Sequence, residues 1–206
     1  ILPLIEPGVS EGAIGARLDY LFKMNGGDGP SFEAIVASGY RGSWAHGVAS
    51  DKKIQKGELI VIDFGSFYHG YTADITRTVA LGHVEPELEK IYYIVLEAQK
   101  RGIAAAIAGN TGKDIDQAGR NYIREQGYGE YFGHGIGHGI GLEVHELCTP
   151  AMPYSKEVMK NNMAITVEPG IYLPDRGGVR IEDDVLIKDN HPYVMSQLPK
   201  DELLIL

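Results

Sequence analysis

The 206-residue sequence predicts an α+β fold, with hairpin-connected antiparallel strands in one layer and separate helices in another. Three observations carry this. Two Ile/Val/Thr/Phe-rich runs, Leu59 to Phe67 and Tyr71 to Leu81, flank a tight Tyr68-His69-Gly70 turn. A long segment from Pro86 to about Ala108 repeats apolar residues every three or four positions (Leu88, Ile91, Val95, Ala98, Gly102, Ala105). The chain beyond Gly127 is glycine-rich strand and loop: Tyr131 to Glu146, Met163 to Tyr172 and Gly178 to Ile187.

Taken in order, Ile1 to Pro7 is a tail or the end of an earlier helix. Ser10 caps a helix to Met24, with Ile14, Leu18, Leu21 and Phe22 on one face and Asn25-Gly26-Gly27 as its stop. Phe32 to Ser38 is a strand, followed by a glycine-rich loop, Ser38 to Ser50, that carries Trp44 and His46. After the hairpin and the long helix, Thr111 or Asp114 caps a further helix that ends near Gly127. Gly8, Ser10, Gly15 and Leu18 match Gly112, Asp114, Gly119 and Tyr122 about 104 positions on, which suggests duplicated halves.

Composition narrows the function. A net charge of −9 gives no counterion-release drive toward phosphate backbones, so nucleic acid is excluded as a partner. A single cysteine, Cys148, rules out an internal disulfide and a Cys-rich metal site, and it reads as a small packed residue rather than a nucleophile. No run reaches the length of a membrane span and no signal peptide is evident, so no membrane partner is expected and the cytoplasm is the expected location. The chain opens on Ile1 without an initiator Met, and a preceding segment is expected to have been removed. Residues 1–206 are read as one domain.

Two carboxylate pairs point to chemistry. With the first turn centred on Tyr68-His69, Asp63 and Asp74 become direct cross-strand neighbours, with Cβ atoms about 5 Å apart. Glu168 and Glu182 face each other across a loop centred on Asp175. Each acid lies in an apolar run, where like charges are costly unless a proton or a cation sits between them. One pair could be a solvated strand face, but two in so short a chain favour a metal site.

Four of the seven histidines, His46, His134, His138 and His145, lie in glycine-rich stretches. The glycines around His134 and His138 make a helical zinc motif implausible, and no Glu follows His134. In strand geometry these two share a face, whereas His145 needs a bend or bulge to join them. The glycines would let a substrate backbone approach closely. His69, His83 and His191 are assigned to turns and surface.

Five strings, taken together, resemble the prolidase and Xaa-Pro aminopeptidase group of metallopeptidases, which shares the pita-bread fold with methionine aminopeptidase. They are Ile62-Asp63-Phe64-Gly65, Asp74-Ile75-Thr76-Arg77-Thr78, the run from Gly137 to Glu146, Thr166-Val167-Glu168-Pro169-Gly170-Ile171-Tyr172, and Gly178-Val179-Arg180-Ile181-Glu182-Asp183. The resemblance implies pseudo-two-fold halves whose curved antiparallel sheet is covered by helices. It implies two divalent ions held by Asp63, Asp74, His138, Glu168 and Glu182, with Asp74 and Glu182 bridging. Oxygen-rich ligation with a single imidazole favours Mn(II), with Co(II), Fe(II) or Zn(II) as alternatives.

The implied reaction is hydrolysis of the bond before proline by a metal-bridging hydroxide. Glu168 would move protons, His145 would steady the carbonyl oxygen, and His46 would sit near the leaving group. His134 and Tyr172 would line the proline subsite. Arg180 would bind a substrate carboxylate or, equally, pair with a nearby Asp. Short peptides with proline at P1′ are the implied partners, and a homodimer is compatible. The N-terminal domain of longer members is absent. Leu147-Cys148-Thr149-Pro150 departs from the common pattern, and Asn162 stands where a glycine is usual, in a left-handed geometry that Asn tolerates. A methionine aminopeptidase-like exopeptidase and a non-catalytic peptide-binding homologue are the alternatives.

Overall fold

The computed structural model describes residues 1–146 and 153–206; Cys148 and the unusual string around it lie outside the described residues. The first helix, α1, spans Glu11–Met24, and the Ser10 hydroxyl caps it by accepting from the Ala13 N–H. Two short strands follow, β1 (Gly29–Pro30) and β2 (Ile35–Ser38), the latter three residues shorter than its run predicts. The His46 loop opens with a 3-10 turn over Gly39–Ser43.

The first hairpin is divided into β3 (Glu58–Phe64), β4 (Ser66–Tyr68), β5 (Tyr71–Thr72) and β6 (Ile75–Leu81). Its turn differs from expectation. Tyr68 pairs with Tyr71, so the two turn residues are His69 and Gly70, both left-handed at φ 51° and 83°. The mirror-image turn matches the twist of the strands it joins. The register therefore sets Asp63 opposite Thr76, and Asp74 lies two positions beyond its expected partner, just before β6. A two-residue shift preserves the face, so both aspartates still point the same way. Between β3 and β4 the ladder breaks at Gly65, where an added Cβ would lie 1.8 Å from the Ala73 carbonyl oxygen.

Helix α2 runs Pro86–Ala105, with Pro at its first position, and ends three residues before the expected Ala108. Helix α3 runs Gly112–Glu125 from a reciprocal capping box between Thr111 and Asp114. The second half then supplies β7 (Ala164–Val167), β8 (Gly170–Leu173), β9 (Gly177–Arg180), β10 (Asp183–Lys188) and β11 (His191–Val194). Val167 pairs with Asp183 and Gly170 with Arg180, so Glu168 and Glu182 sit opposite one another around a turn containing Asp175 at φ 59°. This is the register the sequence suggests.

The segment from Tyr131 to Glu146 is mostly loop rather than strand. Only its centre joins the sheet: the Thr166 and Glu168 N–H groups donate to the His138 and Ile136 carbonyls at 2.8 and 2.6 Å. The chain then doubles back, with the Glu146 N–H donating to the Gly139 carbonyl at 3.0 Å. Its glycines serve the chain itself. A Cβ on Gly137 would stand 1.9 Å from the Thr166 carbonyl oxygen, so the close approach there is by β7 and not by a substrate. Asn162, at φ 71°, takes the left-handed geometry expected of it.

The halves repeat. Strands β2, β3 and β6 form one sheet, and the 136–140 segment pairs with β7, which pairs with β10 and, through it, β11. The N-cap residues Ser10 and Thr111 each bridge an extended residue downstream, Lys53 and Val158. These caps are 101 positions apart, not about 104, so the repeat is present in a register that residue matching misses. Helix α1 packs Ile14 and Leu18 on Val36, Ile60, Ile62 and Val79. Helices α2 and α3 pack on Ile165, Val167, Val179 and Val185. Ile60 and Ile62 point toward α1, so the alternation of side chains along β3 turns Asp63 to the opposite face.

Candidate metal centre

The acids collect on that opposite face, where the two halves meet. The strands bring this about: Asp63 is the next-to-last residue of β3, Asp74 precedes β6, and Glu168 and Glu182 lie at the break between the β7/β10 and β8/β9 pairings. The returning loop adds His138. Ligand atoms of Asp74, His138 and Glu182 all lie within 4.8 Å of one another. His138 Nε2 is 3.6 Å from Asp74 Oδ2 and 3.5 Å from Glu168 Oε1. The other ring nitrogen, Nδ1, is 3.1 Å from the Gly139 carbonyl, which can only accept. Nδ1 therefore carries the proton, and Nε2 turns its lone pair toward the acids.

Burial makes this arrangement costly without counter-charge. Asp74 is pushed up to about 9 by desolvation, with the Asp63 and Asp184 charges adding to it. Glu168 is raised to about 7, and Glu182 is raised well above the usual carboxylate range, again mainly by burial. Asp63 Oδ1 and Asp74 Oδ1 are buried with no hydrogen-bond partner. Orphaned anionic oxygens converging beside an imidazole lone pair form a donor set suited to hard divalent cations.

The rim residues fall into two groups. The His145 ring lies 4.2 Å from that of His138, because the 139–146 segment bends back as the parity of its number requires. His46 is exposed, near enough for its charge to act on His134 and His145. His134 Nε2 is 2.8 Å from the Tyr172 hydroxyl, and burial lowers this histidine to about 4. Desolvation also raises Tyr172 to about 12, so both groups are neutral near pH 7.

Arg180 lies inside rather than at the mouth, 2% exposed. Its guanidinium donates to Asp63 Oδ2 at 2.6 Å, the Tyr172 hydroxyl and the Ala45 carbonyl at 3.0 Å, and Thr76 Oγ1 at 3.1 Å. Of its two expected roles, the geometry contains the pairing with an aspartate. His69, His83 and His191 are exposed and distant from these groups in the fold, and Trp44 is an exposed side chain packed edge-on to Tyr40.

Residues that sequence reasoning passed over complete the surroundings. Thr76 Oγ1 donates to Glu182 Oε2 at 2.6 Å, and the Thr166 hydroxyl reaches Glu168 at 3.4 Å. Asp184 accepts the Asp74 N–H at 3.2 Å, and burial raises it to about 7. Asp183 is fully buried and binds Arg77, Gln99 and Lys200. The run Glu182-Asp183-Asp184 between apolar residues was the available signal for the last two.

Comparison with known proteins agrees with this geometry. Residues 1–189 match the model of metallopeptidase family M24. The Xaa-Pro dipeptidase of Pyrococcus horikoshii is 51% identical over 186 residues, covering 90% of this chain and 53% of that protein. Among solved structures, an Xaa-Pro dipeptidase from Bacillus anthracis superposes with a TM-score of 0.97 at 50% identity, covering 100% of this chain and 57% of that one. The X-Pro aminopeptidase of Thermotoga maritima gives 0.95 at 45% identity, covering 100% and 58%. The chain thus spans little more than half the length of the relatives it matches. With a family match over nearly its whole length and near-superposable folds at about half identity, the chain belongs to metallopeptidase family M24 and has its pita-bread fold.

Proposed function

We propose that this chain is the catalytic portion of a metal-dependent exopeptidase that cleaves the bond before proline. The observation that carries the reading is the convergence of Asp74, His138 and Glu182, from three separate segments, with Asp63 and Glu168 beside them. Asp63, Asp74, His138, Glu168 and Glu182 are the proposed ligands of two divalent ions. Four carboxylates and one imidazole favour Mn(II), with Co(II), Fe(II) or Zn(II) able to replace it. Bound there, such ions would polarise the scissile carbonyl and make a nucleophilic water available near neutral pH.

The chain's own residues do the rest. Glu168 has the most accessible carboxylate of the four, 17% exposed, which suits it to take a proton and return it to the leaving nitrogen. His145 and His46 stand at the rim, where an N–H can meet the carbonyl oxygen and the leaving group. His134 and Tyr172 present a neutral, partly apolar wall suited to a pyrrolidine ring. Arg180 holds Asp63 in place instead of reaching a substrate carboxylate. An Xaa-Pro bond lacks the N–H that general peptidases bind, so a dedicated wall of this kind has a chemical purpose. Short peptides with proline at P1′ are the proposed substrates, and the cytoplasm is the proposed location.

The test is hydrolysis of Ala-Pro and of Met-Ala by the chelator-stripped chain, before and after Mn(II) is restored, together with metal analysis. Mn(II)-dependent cleavage of Ala-Pro is expected, with metal content and activity both lost in Asp74→Asn. Preference for Met-Ala would favour a methionine aminopeptidase-like enzyme. Failure of the wild-type chain to retain divalent metal would overturn the reading.

A further inference from the structure

Two of the rim histidines, His134 and His46, sit on loops that lack a regular backbone ladder, yet each loop is tied to a helix by one buried acid–arginine pair. In the second half the acid is Asp116, fully buried in α3. Its carboxylate takes the Arg120 fork at 2.7 and 2.8 Å and the Ile136 N–H at 3.0 Å. Arg120 in turn donates to the Phe132 carbonyl at 2.9 Å and the His134 carbonyl at 2.5 Å. The backbone on both sides of His134 is thus held by two side chains one helical turn apart.

The His134 ring shows what this achieves. Its Nδ1 lies 2.8 Å from the Gly135 carbonyl and must carry the proton. Nε2 is then an acceptor, and the Tyr172 hydroxyl donates to it while accepting from Arg180. A small displacement of the 132–136 backbone would break this directional chain from Arg180 through Tyr172 to His134.

The first half holds its loop by a comparable pair. Glu11, fully buried at the start of α1, accepts from the Ser38 N–H and hydroxyl at 2.7 and 2.8 Å, from Ser50 at 2.6 Å and from Arg41. Arg41 also donates to the Val48 carbonyl at 2.8 Å, which fixes the loop carrying His46 from both sides. Both acids occupy the helix that opens their half, and both take the N–H of a residue in a sheet-forming segment that follows it.

We propose that Asp116–Arg120 and Glu11–Arg41 are analogous positioning clamps, one per half and at positions the repeat does not equate, that set His134 and His46 at the mouth of the site. The kinetic part of this inference rests on the function proposed above; the structural part does not. A fork that reaches a carboxylate and flanking carbonyls together cannot be reproduced by an ammonium group.

The test uses Arg120→Lys and Arg41→Lys, which keep the charge opposite each buried acid. Nitrogen-15 imidazole spectra should show His134 of the parent as a fixed Nδ1–H tautomer, and Arg120→Lys should convert it to an averaged signal. On Ala-Pro, Arg120→Lys should raise KM about tenfold with kcat within about threefold, because His134 lines the substrate wall. Arg41→Lys should instead lower kcat about tenfold with little change in KM, since His46 faces the leaving group. Arg101→Gln, at an exposed pair with Glu97, should move none of these. If Arg120→Lys does not fold, Asp116→Asn takes its place with the same expected outcome. A variant that loses melting temperature while its His134 spectrum and KM stay unchanged would reduce the clamp to a stabilising contact and overturn the proposal. If the parent cleaves no peptide, the spectra alone decide the clamp, and the fault lies with the functional reading.

Discussion

Metal uptake should expel protons, and their number follows from the centre. Near pH 7 in the metal-free chain, Asp74, at about 9, holds its proton almost fully. Glu168, at about 7, holds half of one, and burial shifts Glu182 in the same direction. These acids must be ionised to coordinate a cation, so Asp74 and Glu168 alone should release about 1.5 protons at pH 7 when the centre fills. The same linkage makes apparent affinity climb about tenfold or more per pH unit between pH 6 and 8.

Calorimetric titration of Mn(II) into chelator-stripped protein, in buffers of different ionisation enthalpy, counts these protons from the slope of heat against that enthalpy. At pH 9 the count should drop as Asp74 begins to ionise unaided, and Asp74→Asn should lower the count at pH 7 by about one. Release of less than one proton at pH 7, or affinity constant from pH 6 to 8, would refute the account of a protonated acidic cluster awaiting cations.

Other outcomes follow from the same geometry. Folded carboxyl values above their unfolded ones mean that the native metal-free chain binds more protons than the unfolded chain; its stability should therefore fall as pH rises above 5, by about 1.4 kcal/mol per pH unit for each such acid until its folded value is passed, about 7 for Glu168 and Asp184 and about 9 for Asp74, as thermal melts would show. Gly137→Ala forces a Cβ onto the Thr166 carbonyl, and a loss of about 1–3 kcal/mol should appear as a lower urea midpoint. Arg180→Leu strands buried Asp63 and should cost about 3–5 kcal/mol in denaturant titrations of metal-free protein. Asp183→Ala strips Arg77, Gln99 and Lys200 of a shared buried partner and should cost a similar amount, about 3–5 kcal/mol, with no direct loss of a proposed ligand.

Legibility in the sequence tracked how local the determining interaction was. The caps at Ser10 and Thr111 and the turn at Asp175 are set by neighbours within a few residues, and both helix starts and the Glu168–Glu182 register follow from them. A turn centred on Tyr68-His69 sets the first hairpin two positions off the observed register, whereas the following Gly70 marks a mirror-image turn at His69-Gly70. Asp63 and Asp74 nonetheless share a face, since an even shift leaves the pleat unchanged.

The 131–146 segment was less legible. Its alternating glycines imitate a strand pattern, but β7 lies against Gly137, and the chain reverses soon after His138. Arg180 is equally open to two roles in the sequence, and its pairing with Asp63 depends on the crossing of β9 over β3 and β6, which no local pattern records. The clamps on Asp116 and Glu11 were invisible, since each joins a helix to a loop through contacts that no periodicity records.

The convergence of acids along the seam between the repeats also bears on ancestry. Asp63 and Asp74 come from the first repeat, and His138, Glu168 and Glu182 from the second. A solitary unit like either repeat would own only part of this constellation, and docking with an identical twin about a dyad would be one way to complete it. Gene fusion would then free the two copies to diverge, and the one imidazole among the proposed ligands, present on a single side, is the asymmetry such a fused pair can carry and a strict twin cannot.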